Sequence, residues 1–366
     1  MIAPHPIQTP EALSPVLAEC DAAPFIALDT EFRREDTYVP ELCLVQLATP
    51  NGLWLVDALA TDLTPLWHRL NHTTTPVVLH AAQQDLELIA QASGSLPRVL
   101  RDTQIAAAFL GLGDQIGYAQ LVAARLHLTL DKSQSRTDWT QRPLSEAQRR
   151  YAADDVRYLQ ALYPGLLEAL ESMNRRRWFE EECAALSDAR RFAPQTTGLW
   201  RKVSGQQTLK PAERAVLEAI TTWREQQAID RNLPRRWVLA DETALKLATT
   251  PKPSPDDIIA GRRGVARPSE PSIQALLEAM RRARQSPPES WPRNPITRLS
   301  PAEQSLLQRW QSRIQAVATQ LQLSPALLAT TDDLLRWLRH PEQANRLTQG
   351  WRAEVLDPAL QFSTST

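Results

Sequence analysis

Asp29-Thr30-Glu31 sets two carboxylates two residues apart, directly after the apolar run Pro24-Phe25-Ile26-Ala27-Leu28. Such a run reads as a buried strand, and residues i and i+2 of a strand leave the same face. Both acids therefore aim at one point. Like charges so placed repel unless a cation lies between them, and an oxygen-only donor set suits Mg²⁺ or Mn²⁺. A strand end with a solvated Asp and Glu is the plain alternative, and this stretch alone favours it.

Two later segments change the balance. Asp85 follows the short apolar run at 76–80 and enters a helix, where an acid is ordinarily a cap or an N-terminal charge. Tyr151 and Asp155 stand at i and i+4 of a long helical pattern and share a face; Asp154, at i+3 from Tyr151, shares it more loosely. None of these is decisive by itself.

The elements that must position them can be read in outline. Residues 1–20 form a lead-in and a short helix started at Thr9-Pro10-Glu11. Strands are expected at 24–31, 42–48 and 53–57, with Asn51-Gly52 as a turn, and another at 76–80. Helices are expected at 63–70, 84–92, 101–109, 115–127 and 145–171, with a polar stretch at 131–143 before the last. Strands followed by alternating strands and helices indicate an α/β domain with a mixed sheet, about residues 1–200.

From about residue 195 the strand signal ends. Helical periodicity recurs at 211–229, 271–284, 301–322, 331–338 and 341–355, with Pro-rich breaks at 249–255, 268–271 and 286–295. This gives two helical units, 208–286 and 299–360. Leu209-Lys210-Pro211-Ala212-Glu213 opens one and Leu299-Ser300-Pro301-Ala302-Glu303 the other, which indicates an internal repeat.

The chain of 366 residues is 43% hydrophobic and 23% charged, as a globular protein is. Absence of any run of 18 apolar residues predicts no membrane span, and the N-terminal stretch carries no secretory pattern. Three widely spaced cysteines, Cys20, Cys43 and Cys183, fit a reducing cytoplasm, and the six histidines show no zinc-site spacing. Net charge is −1 but divided: residues 1–200 hold 17 Lys and Arg against 25 Asp and Glu, and 201–366 hold 24 against 17. An acidic half that binds metal, tied to an Arg-rich half that holds phosphates, is one reading; uneven but solvated faces are the other.

The ordered set is more specific than its parts. Asp29-Thr30-Glu31, then His80-Ala81-Ala82-Gln83-Gln84-Asp85, then Tyr151-Ala152-Ala153-Asp154-Asp155 resembles the DEDD exonucleases in their Tyr-containing branch. Lys132-Ser133-Gln134-Ser135-Arg136-Thr137-Asp138-Trp139 and Arg142-Pro143-Leu144 are similar to the ribonuclease D family within it. The helical units resemble the helicase-and-RNase-D C-terminal (HRDC) module, most clearly from Trp223-Arg224-Glu225-Gln226 to Asn232-Leu233-Pro234-Arg235 and weakly at 299–360.

The resemblance implies a ribonuclease H-like exonuclease domain followed by two all-α HRDC-like domains. It implies that Asp29, Glu31, Asp85 and Asp155 offer oxygens to two divalent ions, Mg²⁺ or Mn²⁺, roughly 3.5–4 Å apart, one at the attacking water and one at the leaving 3′ oxygen. Tyr151 would orient the water. The activity implied is 3′→5′ hydrolysis of RNA to nucleoside 5′-monophosphates, with tRNA precursors and other small structured RNAs bearing a single-stranded 3′ end as substrates. No oligomerisation heptad stands in the sequence, so a monomer is expected. Around the acids, Phe32 either stacks on the terminal base or is a plain core residue, His80 either orients the segment near Asp85 or is a core histidine, and Gln84 is expected to bond the terminal ribose. Lys132, Arg136 and Trp139 would line the strand path, a capping loop with solvated charges being the alternative. Arg224, Arg231, Arg235 and Arg236 would form an RNA-backbone surface, with Arg281, Arg282 and Arg284 as a second group. A non-catalytic RNA-binding protein on a nuclease fold and a DNA 3′→5′ exonuclease are the rival readings.

Overall fold

The computed structural model describes residues 4–193, 196–260, 267–293, 299–343 and 345–360. The end of the expected break at 286–295 thus lies outside the described residues. Five strands, β1 (Ile26–Arg33), β2 (Glu41–Thr49), β3 (Gly52–Asp57), β4 (Val77–Leu79) and β5 (Leu100–Asp102), form one sheet in the order β3-β2-β1-β4-β5. The sheet is mixed: β2 and β3 pair antiparallel across a short turn, while β4 lies parallel to both β1 and β5. The segment expected as the start of a helix at Arg101 is instead strand β5. Three residues are too few to show a period, so only pairing with β4 reveals it.

Helices α1 (Pro10–Ala22), α2 (Thr64–His72), α3 (Gln83–Ser93), α4 (Thr103–Phe109), α5 (Tyr118–Leu126), α6 (Glu146–Ser172) and α7 (Arg176–Ala184) surround the sheet in sequence. One core cluster holds Ile26, Leu28, Val45 and Leu47 with Leu13 of α1, Leu66 of α2 and Leu86 of α3. The alternate face, with Ala27, Ala48 and Val78, packs against Val156, Leu159, Leu162 and Leu166 of α6. Period 2 on the strand and period 3.6 on the helix thus meet on the two faces of β1. Ser145 starts α6: its hydroxyl accepts from Gln148 N at 3.1 Å, and Gln148 Oε1 accepts from Ser145 N at 3.0 Å.

Contacts divide the chain into two units: residues 1–33, 42–192 and 299–366, and residues 34–41 with 193–298. The segment 299–360, expected as a helical module of its own, falls in the first unit. Its helices α13 (Pro301–Leu321), α14 (Pro325–Leu328), α15 (Thr331–Arg339) and α16 (Gly350–Leu360) bury Ile314, Ala318, Leu328 and Trp351 in the α6 core. Trp351 stacks on Trp178 at 5.4 Å between centroids, and Arg352 gives Glu182 an ion pair at 2.5 Å.

The second unit consists of α8 (Pro211–Asp230), α9 (Arg235–Val238), α10 (Asp241–Thr249), α11 (Pro255–Ala260) and α12 (Glu270–Gln285) around Trp200, Leu217, Ile220, Leu247, Ile273 and Leu276. The repeat suggested by the two Pro-Ala-Glu openings has a structural counterpart. Helices of 20, 4 and 9 residues run α8, α9, α10, and helices of 21, 4 and 9 residues run α13, α14, α15. Both long helices begin with Pro at the first position, followed by a Glu that accepts from the residue before the Pro: Lys210 N at 2.8 Å and Ser300 N at 2.7 Å.

Candidate active site

Strand β1 carries both acids of the first motif, and the strand runs on past them to Arg33. Asp29 and Glu31 leave one face, as their spacing requires. On α6, Asp155 comes from the helix that packs on that face. One carboxylate oxygen from each of Asp29, Glu31 and Asp155 lies within 4.8 Å of the others. All three are half-buried, and Asp29 and Asp155 line a cleft. Asp85, in the first turn of α3, is buried beside this group but outside it. Its Oδ1 accepts from the Thr30 hydroxyl at 2.5 Å.

The charged neighbours acting on these acids are other carboxylates. Burial first, then Asp155 and Asp85, push Glu31 up to about 9. Burial, then Asp154 and Asp85, push Asp155 up to about 8. Asp29 is held well above the ordinary carboxylate range by burial and by Asp85, Asp155 and Glu31. Burial raises Asp85 to about 7, and the Thr30 hydroxyl pulls against that rise. A cluster of this kind holds protons or takes a cation from solution. Its donors are all carboxylate oxygens, which fits a hard divalent ion such as Mg²⁺ or Mn²⁺. Asp154 lies outside the cluster and pairs with Arg157 one turn along the helix.

The cleft encloses about 240 Å³ and is lined by Asp29, Asp155 and Tyr151 on one side and by His80, Tyr118 and Lys132 on others. Loss of water, then Asp155, Glu31 and Asp29, hold Tyr151 far above the usual phenol range. The Tyr151 hydroxyl therefore stays protonated and is a donor, never a base.

Backbone geometry delivers Asp85. Ala81, between β4 and α3, adopts φ +54°, a left-handed conformation that costs a side-chain-bearing residue energy. The buried carboxylate of Asp102 holds it there, accepting from Ala81 N and Ala82 N at 3.0 Å each and from Gln104 N at 2.8 Å. His80 is fixed by the same corner. Its Nε2 faces the Ile116 carbonyl at 3.0 Å and so carries the proton, and its Nδ1 meets the Thr103 hydroxyl at 3.0 Å. Burial depresses the imidazole and keeps it neutral. His80 thus stands in the corner that leads from β4 into the helix bearing Asp85.

Tyr118 was not singled out from the sequence. It faces the cleft, its ring 5.5 Å from that of His80, and its hydroxyl donates to the main-chain carbonyl of Asp155. No spacing rule links residues 118 and 155; only the packing of α5 on α6 does. Arg142, part of the resemblance through Arg142-Pro143-Leu144, likewise meets its partner through packing and not through spacing. Its guanidinium gives Asp57 two bonds of 2.7 Å and donates to the carbonyls of Trp139 and Cys43 at 2.7 and 2.8 Å, pinning residues 131–143 to β2 and β3.

Several expected contacts are otherwise engaged. Trp139, expected along the strand path, is 3% exposed and packs with Leu44, Leu55 and Leu144. Its large apolar ring contributes more to this core than to an exposed loop. Lys132 is exposed and lines the cleft, and Arg136 is exposed on the same loop. Phe32 is half-buried at the end of β1, and Gln84 is exposed on the first turn of α3. Arg224 belongs to no surface: it is buried, donating to Asp241 at 2.6 Å and to the Leu239 carbonyl at 3.1 Å. Arg235 closes on the fully buried Glu225 at 2.6 Å and lies 4.9 Å over the ring of Tyr38. Arg236 is exposed and Arg231 half-buried. In the second arginine group, Arg281 and Arg282 pair with Glu278, and Arg284 donates to the Pro251 carbonyl at 2.9 Å beyond the end of α10.

The chain is similar to known exonucleases. A family model described as 3′-5′ exonuclease matches residues 4–171. Ribonuclease D of Gluconacetobacter diazotrophicus is 42% identical over 97% of this chain and 91% of its own. That of Granulibacter bethesdensis is 36% identical over 96% and 90%. Among solved structures, Escherichia coli RNase D, described as an exoribonuclease involved in structured RNA processing, superposes with a TM-score of 0.83 at 32% identity, over 97% of this chain and 96% of that one. The catalytic core of RRP6 from Trypanosoma brucei shares the fold, with a TM-score of 0.60 at 22% identity over 76% and 78% of the two chains.

Proposed function

This chain belongs to the ribonuclease D family of 3′→5′ exoribonucleases, and we propose that its cleft hydrolyses RNA from the 3′ end, releasing nucleoside 5′-monophosphates, with divalent ions held by Asp29, Glu31, Asp85 and Asp155. The observation that carries this reading is the meeting of Asp29, Glu31 and Asp155 oxygens within 4.8 Å in a cleft beside Tyr151. Mg²⁺ or Mn²⁺ bound there would polarise the phosphate, lower the pKa of water and stabilise the departing 3′ oxygen. The chain's own residues do the rest. The protonated Tyr151 hydroxyl donates toward the attacking water and orients it. Lys132 offers a cation to the phosphate backbone at the rim, and the apolar stretch of wall at Leu130 and Leu159 shields the reacting phosphate from bulk water.

The resemblance of residues 208–286 and, more weakly, 299–360 to HRDC modules supports single-stranded RNA as the bound form and small structured RNAs, tRNA precursors among them, as substrates. In this reading Arg236 and Arg231 remain candidates for backbone contact, Phe32 for stacking on the terminal base and Gln84 for the ribose. Buried thiols at Cys20, Cys43 and Cys183 suit a reducing cytoplasm, and no described helix is long and apolar enough to cross a membrane. Side-by-side digestion of 3′-tailed RNA and single-stranded DNA, with Mg²⁺ and with EDTA, tests the assignment. Stepwise shortening of the RNA that EDTA stops is expected. Indifference to EDTA, or preference for DNA, overturns it.

A further inference from the structure

Thr30 sits between the two acids of β1, and its side chain leaves the opposite face of the strand. It is buried, and its hydroxyl donates to Asp85 Oδ1 at 2.5 Å. Asp85 arrives from a different element, α3. The Asp102 clip fixes the backbone before it, through Ala81 and Ala82; the Asp85 carboxylate itself is held by the Thr30 hydroxyl, with the main-chain N–H groups of Thr30 and Asp85 also bonding it. A β-branched threonine is stiff at χ1, so its hydroxyl offers a direction rather than a cloud of positions. The bond commits one oxygen of Asp85 to the strand that already bears Asp29 and Glu31.

We propose that Thr30 is a positioning residue for the metal centre: it locks the carboxylate of Asp85 so that only its second oxygen is presented to a divalent ion. Both faces of one three-residue stretch then serve the site, two side chains by offering oxygens and the middle one by aiming an oxygen from elsewhere. This rests on the reading of Asp85 as a metal-holding residue. Groups behind a metal ligand typically alter affinity by about 10- to 100-fold when removed.

Calorimetric titration of the metal-free full chain with Mn²⁺ separates the possibilities. Thr30→Val keeps shape and removes the donor; it is expected to weaken Mn²⁺ binding by about 10- to 100-fold. Thr30→Ser retains the hydroxyl and is expected to bind close to wild type. The KM for RNA at saturating Mn²⁺ should not change in either. A merely structural role would lower the melting temperature equally with and without Mn²⁺ and leave the affinity alone, which overturns the proposal. Thr30→Ala gives the same readout if Thr30→Val does not fold. Asp85→Asn distinguishes the two levels: unchanged Mn²⁺ binding in that variant sinks the role of Asp85 itself, whereas weak binding there with wild-type affinity in Thr30→Val sinks only the role of Thr30.

Discussion

Asp57 and Asp29 are acids of the same sheet, on β3 and β1, and the chain treats them in opposite ways. Asp57 is 1% exposed and accepts two bonds from Arg142, one from Gln8 Nε2 and one from Leu59 N. Burial raises its pKa, but the Arg142 and Gln8 bonds more than offset that and hold it below the usual range. Glu225, with Arg235 and Tyr38, repeats the pattern in the other unit and is likewise lowered. Asp29 has carboxylates for charged neighbours and is pushed upward. At these two structural acids, Asp57 and Glu225, the sequence supplies an arginine beside each. At the cleft it leaves the countercharge to something that can come and go.

The sharpest way to break this contrast is to neutralise an acid on each side. Asp29→Asn or Asp155→Asn should lower Mg²⁺-dependent RNA hydrolysis on the order of 10³-fold or more, since several kcal/mol of transition-state stabilisation goes with the ions. RNA binding in Ca²⁺ should survive, and the metal-free protein should melt at a higher temperature than wild type because a repulsion is gone. Full activity in either variant would falsify the site. Breaking the Asp57 pair with Arg142→Met should do the reverse, costing about 3–5 kcal/mol of stability in urea unfolding, with no recovery in Mg²⁺.

A pH series sharpens the same point. The folded chain holds protons on Glu31, Asp85 and Asp155 more tightly than the unfolded chain does. The stability linked to them is fully present near pH 4 and is lost as pH rises through about 7 to 9. Metal-free protein should therefore melt lower at pH 9 than at pH 6, and Mg²⁺ should restore more at pH 9. A melting temperature that rises over that range without metal contradicts the assigned environment. The smallest effect separates two arginines. Arg224→Ala should cost about 2 kcal/mol through its lost charged hydrogen bonds. Arg236→Ala should stay within about 0.5 kcal/mol in stability and weaken RNA binding slightly in low salt.

What the sequence disclosed follows from how local each signal is. Period 2 put Asp29 and Glu31 on one face, and i, i+4 spacing joined Tyr151 to Asp155, because both rules hold within one element. Thr30 with Asp85, Tyr118 with the Asp155 carbonyl, and Arg142 with Asp57 span 37 to 85 residues and have no local trace. Trp139 is expected along the strand path because the residues around it are polar, yet its ring packs between Leu44 and Leu144. Arg224 was read as surface because nothing nearby in the chain announces Asp241 as its partner. The sheet order was equally hidden: β4 pairs with β1 across about fifty residues of intervening chain.

The central place of β1, with β2 on one side and β4 on the other, bears on which openings of the molecule silence it. Strands at a rim fray first, and amide exchange there reports small local openings. Amides of residues 28–31 should instead exchange among the slowest in the chain, near the rate set by global unfolding. Transient loosening of β3 or β5 would then leave the spacing of Asp29 and Glu31 intact, so mild warming should retain turnover until the whole unit melts.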